Sequence, residues 1–350
     1  MSMCHEATAA MTAPRPACTA LVIGESKSGK THFGAQLVGR MNMGSGRLVM
    51  RGAATDLTPF EDALRQLHQG LAAGHTPSGQ FRQITLPLTD RKTGTSLDLV
   101  WPDYAGEQVT DVVDGRSVSA AWRERVIAAD AWVLLVRLHH VTAPADALSR
   151  PIAATLTGQP AAASNMQDST ERNAHAERPA SAESLGLQRW SDQARLVELL
   201  QLLLAARRLG PGQPVTTPHL TVLISCWDEL DLDGGVHHKP SDVLADRAPM
   251  LASFMHATWA PAALHTYGLS ALGQDLAQHE PDSAFVDRGP EVFGYVVQAD
   301  GTITADLTMP LVSLAITPAH HVANLPTRAR VGEGLGHRAI GDVVGRFTSA

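Results

Sequence analysis

Gly24-Glu25-Ser26-Lys27-Ser28-Gly29-Lys30-Thr31 is the stretch on which the fold turns. Ahead of it, Thr19-Ala20-Leu21-Val22-Ile23 is apolar, partly β-branched and the length of a buried strand. Behind it, Phe33, Leu37, Val38 and Met41 recur at helical spacing. A strand, a turn of the form G-x-x-x-x-G-K-[ST] and a helix together suit a polyphosphate. Backbone N–H groups of the turn form a nest for phosphate oxygens, and the helix N-terminus adds partial positive charge. In that geometry the residues from Gly24 through Glu25, Ser26, Lys27, Ser28 and Gly29 to Thr31 enclose the phosphates. Lys30 reaches the β- and γ-groups, and the Thr31 hydroxyl ligates Mg²⁺. The expectation is a nucleoside triphosphate site.

Three further segments bear on the kind of nucleotide. Leu97-Asp98-Leu99-Val100-Trp101 alternates as a strand and runs into Pro102-Asp103-Tyr104-Ala105-Gly106-Glu107. A strand ending at Asp103 sets a carboxylate beside the phosphate turn to hold Mg²⁺ through water, and Gly106 offers a γ-phosphate an unhindered backbone N–H. Leu220-Thr221-Val222-Leu223-Ile224-Ser225-Cys226-Trp227-Asp228 is a buried strand ending in a carboxylate. Asp228 is placed to accept from guanine N1 and N2. Thr266-Tyr267-Gly268-Leu269-Ser270-Ala271-Leu272 is a strand whose Ser270-Ala271 turn offers backbone N–H groups to guanine O6.

The order of these four elements resembles the TRAFAC class of GTPases. Trp101-Pro102-Asp103-Tyr104-Ala105-Gly106-Glu107, taken with Tyr267-Gly268-Leu269-Ser270-Ala271-Leu272-Gly273, is more narrowly similar to the bacterial double-GTPase families, which are associated with conflict and anti-phage systems. The resemblance spans roughly residues 18–318. It implies a three-layer α/β P-loop fold with a mainly parallel sheet, GTP/GDP and Mg²⁺ as ligands, and a second GTPase on another chain as partner.

Departures from the pattern shape the expected chemistry. The guanine-reading motif [NT]-K-x-D reads Ser225-Cys226-Trp227-Asp228 here. Ser225 retains one hydrogen bond to brace the loop, Cys226 lacks a long aliphatic stem, and Trp227 either stacks on the base or packs beside the sheet. Glu107 stands where many GTPases carry a water-orienting Gln; a carboxylate accepts from that water but does not donate to the transition state. Ser26 narrows the approach of an arginine finger. Slow hydrolysis follows from both. Two alternatives stay open at this level: a scaffold that binds GTP without turnover, and an ATPase.

A Thr that closes over the γ-phosphate and Mg²⁺ belongs between the first helix and the second strand, where Thr55, Thr58 and Thr76 are the candidates. Thr76 is preferred because His75-Thr76-Pro77-Ser78-Gly79 directly precedes the strand 81–88. Thr58-Pro59-Phe60-Glu61 reads instead as a capping box opening a helix over 59–71.

Composition narrows the partners. The 350 residues are 44% apolar, enough for a large core, and a net charge of −7 supplies no basic face for nucleic acid. Cys4, Cys18 and Cys226 show no metal spacing and suit a reducing cytosol. The pairs His139-His140, His237-His238 and His320-His321 lack a companion ligand at workable spacing, so solvated loops are expected. No secretory leader is read in residues 1–15, and the greasiest run, Leu196–Leu204, is too short and too polar for a membrane span. The expected location is cytoplasmic.

Residues 1–17 read as a disordered lead and 319–350 as a tail. Residues 141–186, rich in Ala, Pro, Ser and Thr, read as a disordered insertion, since they bury too little to offset ordering entropy. Helices are expected over 122–128, 188–208 and 241–259, and a strand over 131–138. Near the C-terminus a hairpin turns at Asp300-Gly301, followed by a helix entered at Pro310.

Overall fold

Strict two-residue alternation in the central strands builds the layers. In β1 (Cys18–Gly24), Leu21 and Ile23 point to one side of the sheet while Ala20 and Val22 point to the other. In β5 (Ala131–Arg137), Trp132, Leu134 and Val136 face the first side and Val133 and Leu135 the second. Both faces are apolar, as a strand covered on both sides requires. The structure is a computed structural model that describes residues 17–74, 82–103, 107–138, 182–230, 232 and 238–316. All of these belong to the first of two units, residues 1–319; the second, 320–350, lies outside them, as do residues 1–16 of the expected 1–17 lead and all of the expected 319–350 tail.

Among the described residues one nine-stranded sheet runs β2-β3-β4-β1-β5-β6-β7-β8-β9. The remaining strands are β2 (Leu48–Met50), β3 (Arg82–Asp90), β4 (Ser96–Asp103), β6 (His219–Ser225), β7 (Leu264–Ser270), β8 (Tyr295–Val297) and β9 (Ile303–Thr304). The central strands β4, β1, β5, β6 and β7 are all parallel, and β2, β3, β8 and β9 add antiparallel pairs at the two sides. All five parallel strands therefore end at the same edge, where an open α/β sheet places its ligand.

On the Leu21 side lie α3 (Glu107–Asp114), α4 (Ala120–Ala128), α5 (Ala182–Ala206), α6 (Pro240–Arg247) and α7 (Pro249–Thr258). On the Val22 side lie α1 (Lys30–Asn42), α2 (Thr58–His68) and α9 (Met309–Ile316); α8 (Ser283–Arg288) packs through Phe285 with Ala35 and Leu67. The fold is thus the three-layer α/β arrangement that the sequence implies.

Several local expectations change. The helix read over 241–259 is two helices, because Pro249 lacks the N–H that a continuous helix needs there and starts the second helix instead. The capping box at Thr58 does not form. Leu57 is the N-cap and makes no side-chain cap bond, while Asp56 Oδ1 accepts the Thr58 N–H at 3.0 Å. α5 begins at Ala182, so the last residues of the 141–186 segment are helical; those before Ala182 lie outside the described residues. The C-terminal hairpin forms, with Val297 paired to Ile303 and the Gln298 N–H donating to the Thr302 carbonyl at 2.8 Å. Its helix α9 is part of the core: Leu311 and Leu314 are fully buried with Val22, Phe33 and Leu37.

Candidate functional site

The turn between β1 and α1 is built from two left-handed residues, Lys27 at φ 61° and Gly29 at φ 80°. Gly29 takes that conformation freely, whereas Lys27 does so at about 1 kcal/mol. Gly24 is held small by its surroundings, since a Cβ there would meet Ser28 Oγ at 2.6 Å and the Leu135 carbonyl at 3.1 Å. Lys30, in the first turn of α1, donates its ammonium to the Gly24 carbonyl at 2.8 Å, to the Glu25 carbonyl at 2.5 Å and to Ser28 Oγ at 3.3 Å. The cation thus sits inside the loop, with Thr31 beside it at the helix start. Ser26 and Lys27 are exposed and Ser28 is buried.

The second group stands at the ends of β6 and β7. Ser225 is paired with Leu269, so the Cys226–Leu230 loop lies against Ser270. Cys226 is left-handed at φ 53° and opens a single 3₁₀ turn over Trp227–Glu229. Asp228 takes a hydrogen bond from the Ser270 hydroxyl, which in turn accepts the Gly273 N–H at 2.8 Å. Burial raises the Asp228 pKa, the Ser270 bond opposes that shift, and Glu229 and Asp275 add to it. A carboxylate pre-set by a buried serine at a strand edge can accept a pair of N–H donors from a base. Ala271 follows in the same turn, half-buried.

Two expectations about this loop resolve. Trp227 is buried against the sheet: a Cβ on Gly268 would fall 2.4 Å from Trp227 Cε3, so glycine makes room for the indole, which belongs to the core. Ser225 does not keep the bracing hydrogen bond, for its buried hydroxyl has no partner among the described residues. Its chain is too short to reach across, although its Cβ lies 3.8 Å from where a Cβ on Gly29 would stand.

What braces the loop is Arg137, at the end of β5, which sequence reading passed over. Its Nη2 donates to both Glu229 oxygens at 3.0 and 2.7 Å, and its Nη1 donates to the Lys27 carbonyl at 3.3 Å. Only the Arg137–Ser225 pairing between β5 and β6 puts it there.

The remaining candidates are placed unevenly. The Asp103 backbone ends β4, three positions past Val100, which pairs with Leu21; the Gly24 turn begins three positions past Leu21. Asp103 is therefore level with the phosphate turn on the neighbouring strand. Glu107 opens α3, whereas Gly106 and Thr76 lie outside the described residues. Thr55 is committed elsewhere, donating to the Gln83 carbonyl and accepting the Thr85 N–H at 3.0 Å, so it is part of the β3 edge. Among the described residues no three His, Cys, Asp or Glu side chains cluster to hold a metal, and no helix is long and apolar enough to cross a membrane. Of the His pairs, only His238 lies within the described residues.

His32, directly after Thr31, ties the site to the segment that precedes Thr76. Its Nε2 accepts the Ala73 N–H at 3.0 Å. Enclosure and the Arg137 charge lower its pKa from 6.5 to about 4, so the ring stays neutral and keeps that bond. The unfolded chain takes up this proton at higher pH than the folded one. The contribution is therefore fully present above about pH 6.5 and is lost as pH falls toward about 4. Thermal unfolding at about pH 7 and about pH 5 is expected to show a lower midpoint in acid, and His32→Gln, which cannot titrate, should reduce that difference.

Among solved structures the chain is similar to the GTPase-like domain of S. cerevisiae Ski7 bound to GTP, at 10% identity over 77% of this chain and 47% of that one, TM-score 0.37. It is also similar to Methanosarcina barkeri Roco2 RocCORdC bound to GDP, at 13% identity over 74% and 44%, TM-score 0.25. A third is Sup35 complexed with GDP, at 12% identity over 80% and 43%, TM-score 0.29. The chain thus spans under half the length of each, and likeness at this level adds nothing to the assignment. No curated protein matches the chain. The sequence does match the family described as Double-GTPase 1 over residues 21–314, a span that opens inside β1, takes in the phosphate turn and the Asp228–Ser270 pair, and closes within the buried helix α9. With the family's model covering most of its length, the chain belongs to the double-GTPase 1 family.

Proposed function

We propose that this chain is a Mg²⁺-dependent GTP switch that hydrolyses its nucleotide slowly. The observation that carries the reading is the convergence of the Gly24–Thr31 turn and the Ser270-braced Asp228 at one edge of five parallel strands. In this reading Gly24, Glu25, Ser26, Lys27, Ser28 and Gly29 present backbone to the α- and β-phosphates, and Lys30 turns from its loop carbonyls to the β- and γ-groups. Asp228 selects guanine through N1 and N2, while the Ser270-Ala271 turn meets O6.

The donors present fit a magnesium ion shared with a nucleotide: one hydroxyl at the start of α1, Thr31, and one carboxylate on the adjacent strand, Asp103, with phosphate and water completing the shell. Such an ion neutralises charge building on the phosphates. Thr76 and Gly106 are the γ-phosphate contacts that order two loops before hydrolysis and release them after it. Glu107 orients the attacking water. The partner is a second GTPase chain, and the setting is a cytoplasmic bacterial conflict or defence system.

The deciding experiment is titration of the purified chain with GTP and ATP: GTP is expected to bind in the micromolar range or tighter and ATP far more weakly, whereas equal binding would replace this reading with an ATPase. Single-turnover assays should give a rate below about one per minute, the range of unassisted GTPases. Asp103→Ala should remove the magnesium-dependent part of that rate, and Glu107→Gln should eliminate turnover. A faster Glu107→Gln variant would instead mean that the site is built to hold GTP, as a scaffold would.

A further inference from the structure

From the ties at the end of β5 we infer that Arg137 is a positioning residue that couples phosphate binding to base recognition. The inference rests on the nucleotide-site reading above and names the element that makes its two halves act together. In the [NT]-K-x-D pattern two residues brace the base loop. Here neither can: Ser225 Oγ is buried without a partner among the described residues, and Cys226 has no length. The brace comes from the neighbouring strand.

Three observations converge on this. First, the Arg137 guanidinium spans both loops, donating to the Lys27 carbonyl on one side and to both Glu229 oxygens on the other. A planar fork of donors serves two acceptors at once, which a lysine ammonium on a flexible stem does less well. Second, the residues it joins are the strained ones. Among the described residues four non-glycines have positive φ: Lys27, Arg116, Arg208 and Cys226. Arg116 and Arg208 each follow a helix C-terminus, where a left-handed residue is the ordinary way to stop. Lys27 and Cys226 follow no helix, and each lies in one of the two loops that Arg137 ties. Strain of this kind persists only where its surroundings hold it. Third, the Arg137 charge reaches the base loop, where burial raises the Cys226 pKa and Arg137 opposes that rise.

Without Arg137, Lys27 and Glu229 lose their common partner. The Asp228 loop then drifts relative to the phosphate turn, and a nucleotide satisfies one end of the site at the expense of the other. Inosine diphosphate reports this, because it lacks the 2-amino group that Asp228 reads in guanosine diphosphate.

The test measures GDP and IDP dissociation constants for the full chain and for Arg137→Gln, Arg137→Lys and Glu229→Gln. Arg137→Gln is expected to weaken GDP by about tenfold or more and IDP by less, so that the GDP-over-IDP preference shrinks. Arg137→Lys, able to serve one acceptor at a time, should fall between, and Glu229→Gln should shift the preference in the same direction. Cys226→Lys placed in the Arg137→Gln background restores a cation and a stem from the other strand, and should recover part of the preference. If Arg137→Gln does not fold, Arg137→Lys and Glu229→Gln still give the ratio. A lower unfolding midpoint with an unchanged GDP-over-IDP ratio would make Arg137 merely structural and overturn the inference. Absence of GDP binding by the unaltered chain would overturn the nucleotide reading along with it; guanine-selective binding that survives in every Arg137 variant would overturn this inference alone.

Discussion

Lys30→Ala is expected to remove measurable triphosphate binding while leaving the protein folded. The loop amides alone do not offset the charge of a γ-phosphate, and loss of one partner from an enclosed, hydrogen-bonded charge pair costs about 2–5 kcal/mol, roughly 30-fold to several thousandfold in affinity. The structure adds a second consequence. The Lys30 ammonium also satisfies the Gly24 and Glu25 carbonyls, so its removal loosens the turn itself. A melting midpoint lower by about 2–4 °C is the expected side effect, about 1 kcal/mol in a chain of this size. Calorimetric titration with GTP on a variant shown to be folded by circular dichroism checks both; unchanged affinity would refute the phosphate-turn assignment.

Asp228→Asn carries the second large effect, an inversion of base preference. In the proposed site the carboxylate would accept from two guanine donors at once, and hydrogen bonds to a charged group are worth about 1.5–3 kcal/mol each. An amide turns one of those acceptors into a donor that faces guanine N–H but suits the carbonyl at C2 of xanthine. GTP affinity should fall by about 30-fold or more while xanthosine triphosphate gains. The Ser270 hydroxyl can still bond the amide oxygen, so the loop should hold its place. Burial raises the Asp228 pKa, so the unaltered protein should lose GTP affinity on acidification sooner than an ordinary aspartate would allow, because the protonated acid no longer accepts from both donors. Paired titrations with the two triphosphates at neutral and mildly acidic pH measure this, and a variant that keeps its guanine preference would take base reading away from Asp228.

The sequence by itself determined the Gly24–Thr31 turn between strand and helix, the strand ends at Asp103 and Ser270, and the three-layer class; the strand read through to Asp228 stops at Ser225, and Asp228 lies in the 3₁₀ turn beyond it. Each feature so determined is a local signal: an apolar run of strand length, a turn residue with a defined conformation, a helix period directly after it. These survive without knowledge of neighbours because backbone geometry and burial on both faces impose them residue by residue. What only the tertiary structure decided depends on residues far apart in the chain. The motif at 225–228 left Trp227 open between base and core; the missing side chain of Gly268 on β7 settles it for the core. Arg137 looks in sequence like the polar end of an apolar strand. It becomes the tie between two loops only because β5 and β6 pair in a register that sets it beside Ser225. The C-terminal helix likewise reads as an extension, yet its leucines fill the Val22 face of the sheet. No periodicity encodes such contacts: a side chain's length and charge are written in the sequence, while the partner that satisfies them is set by which strands lie side by side.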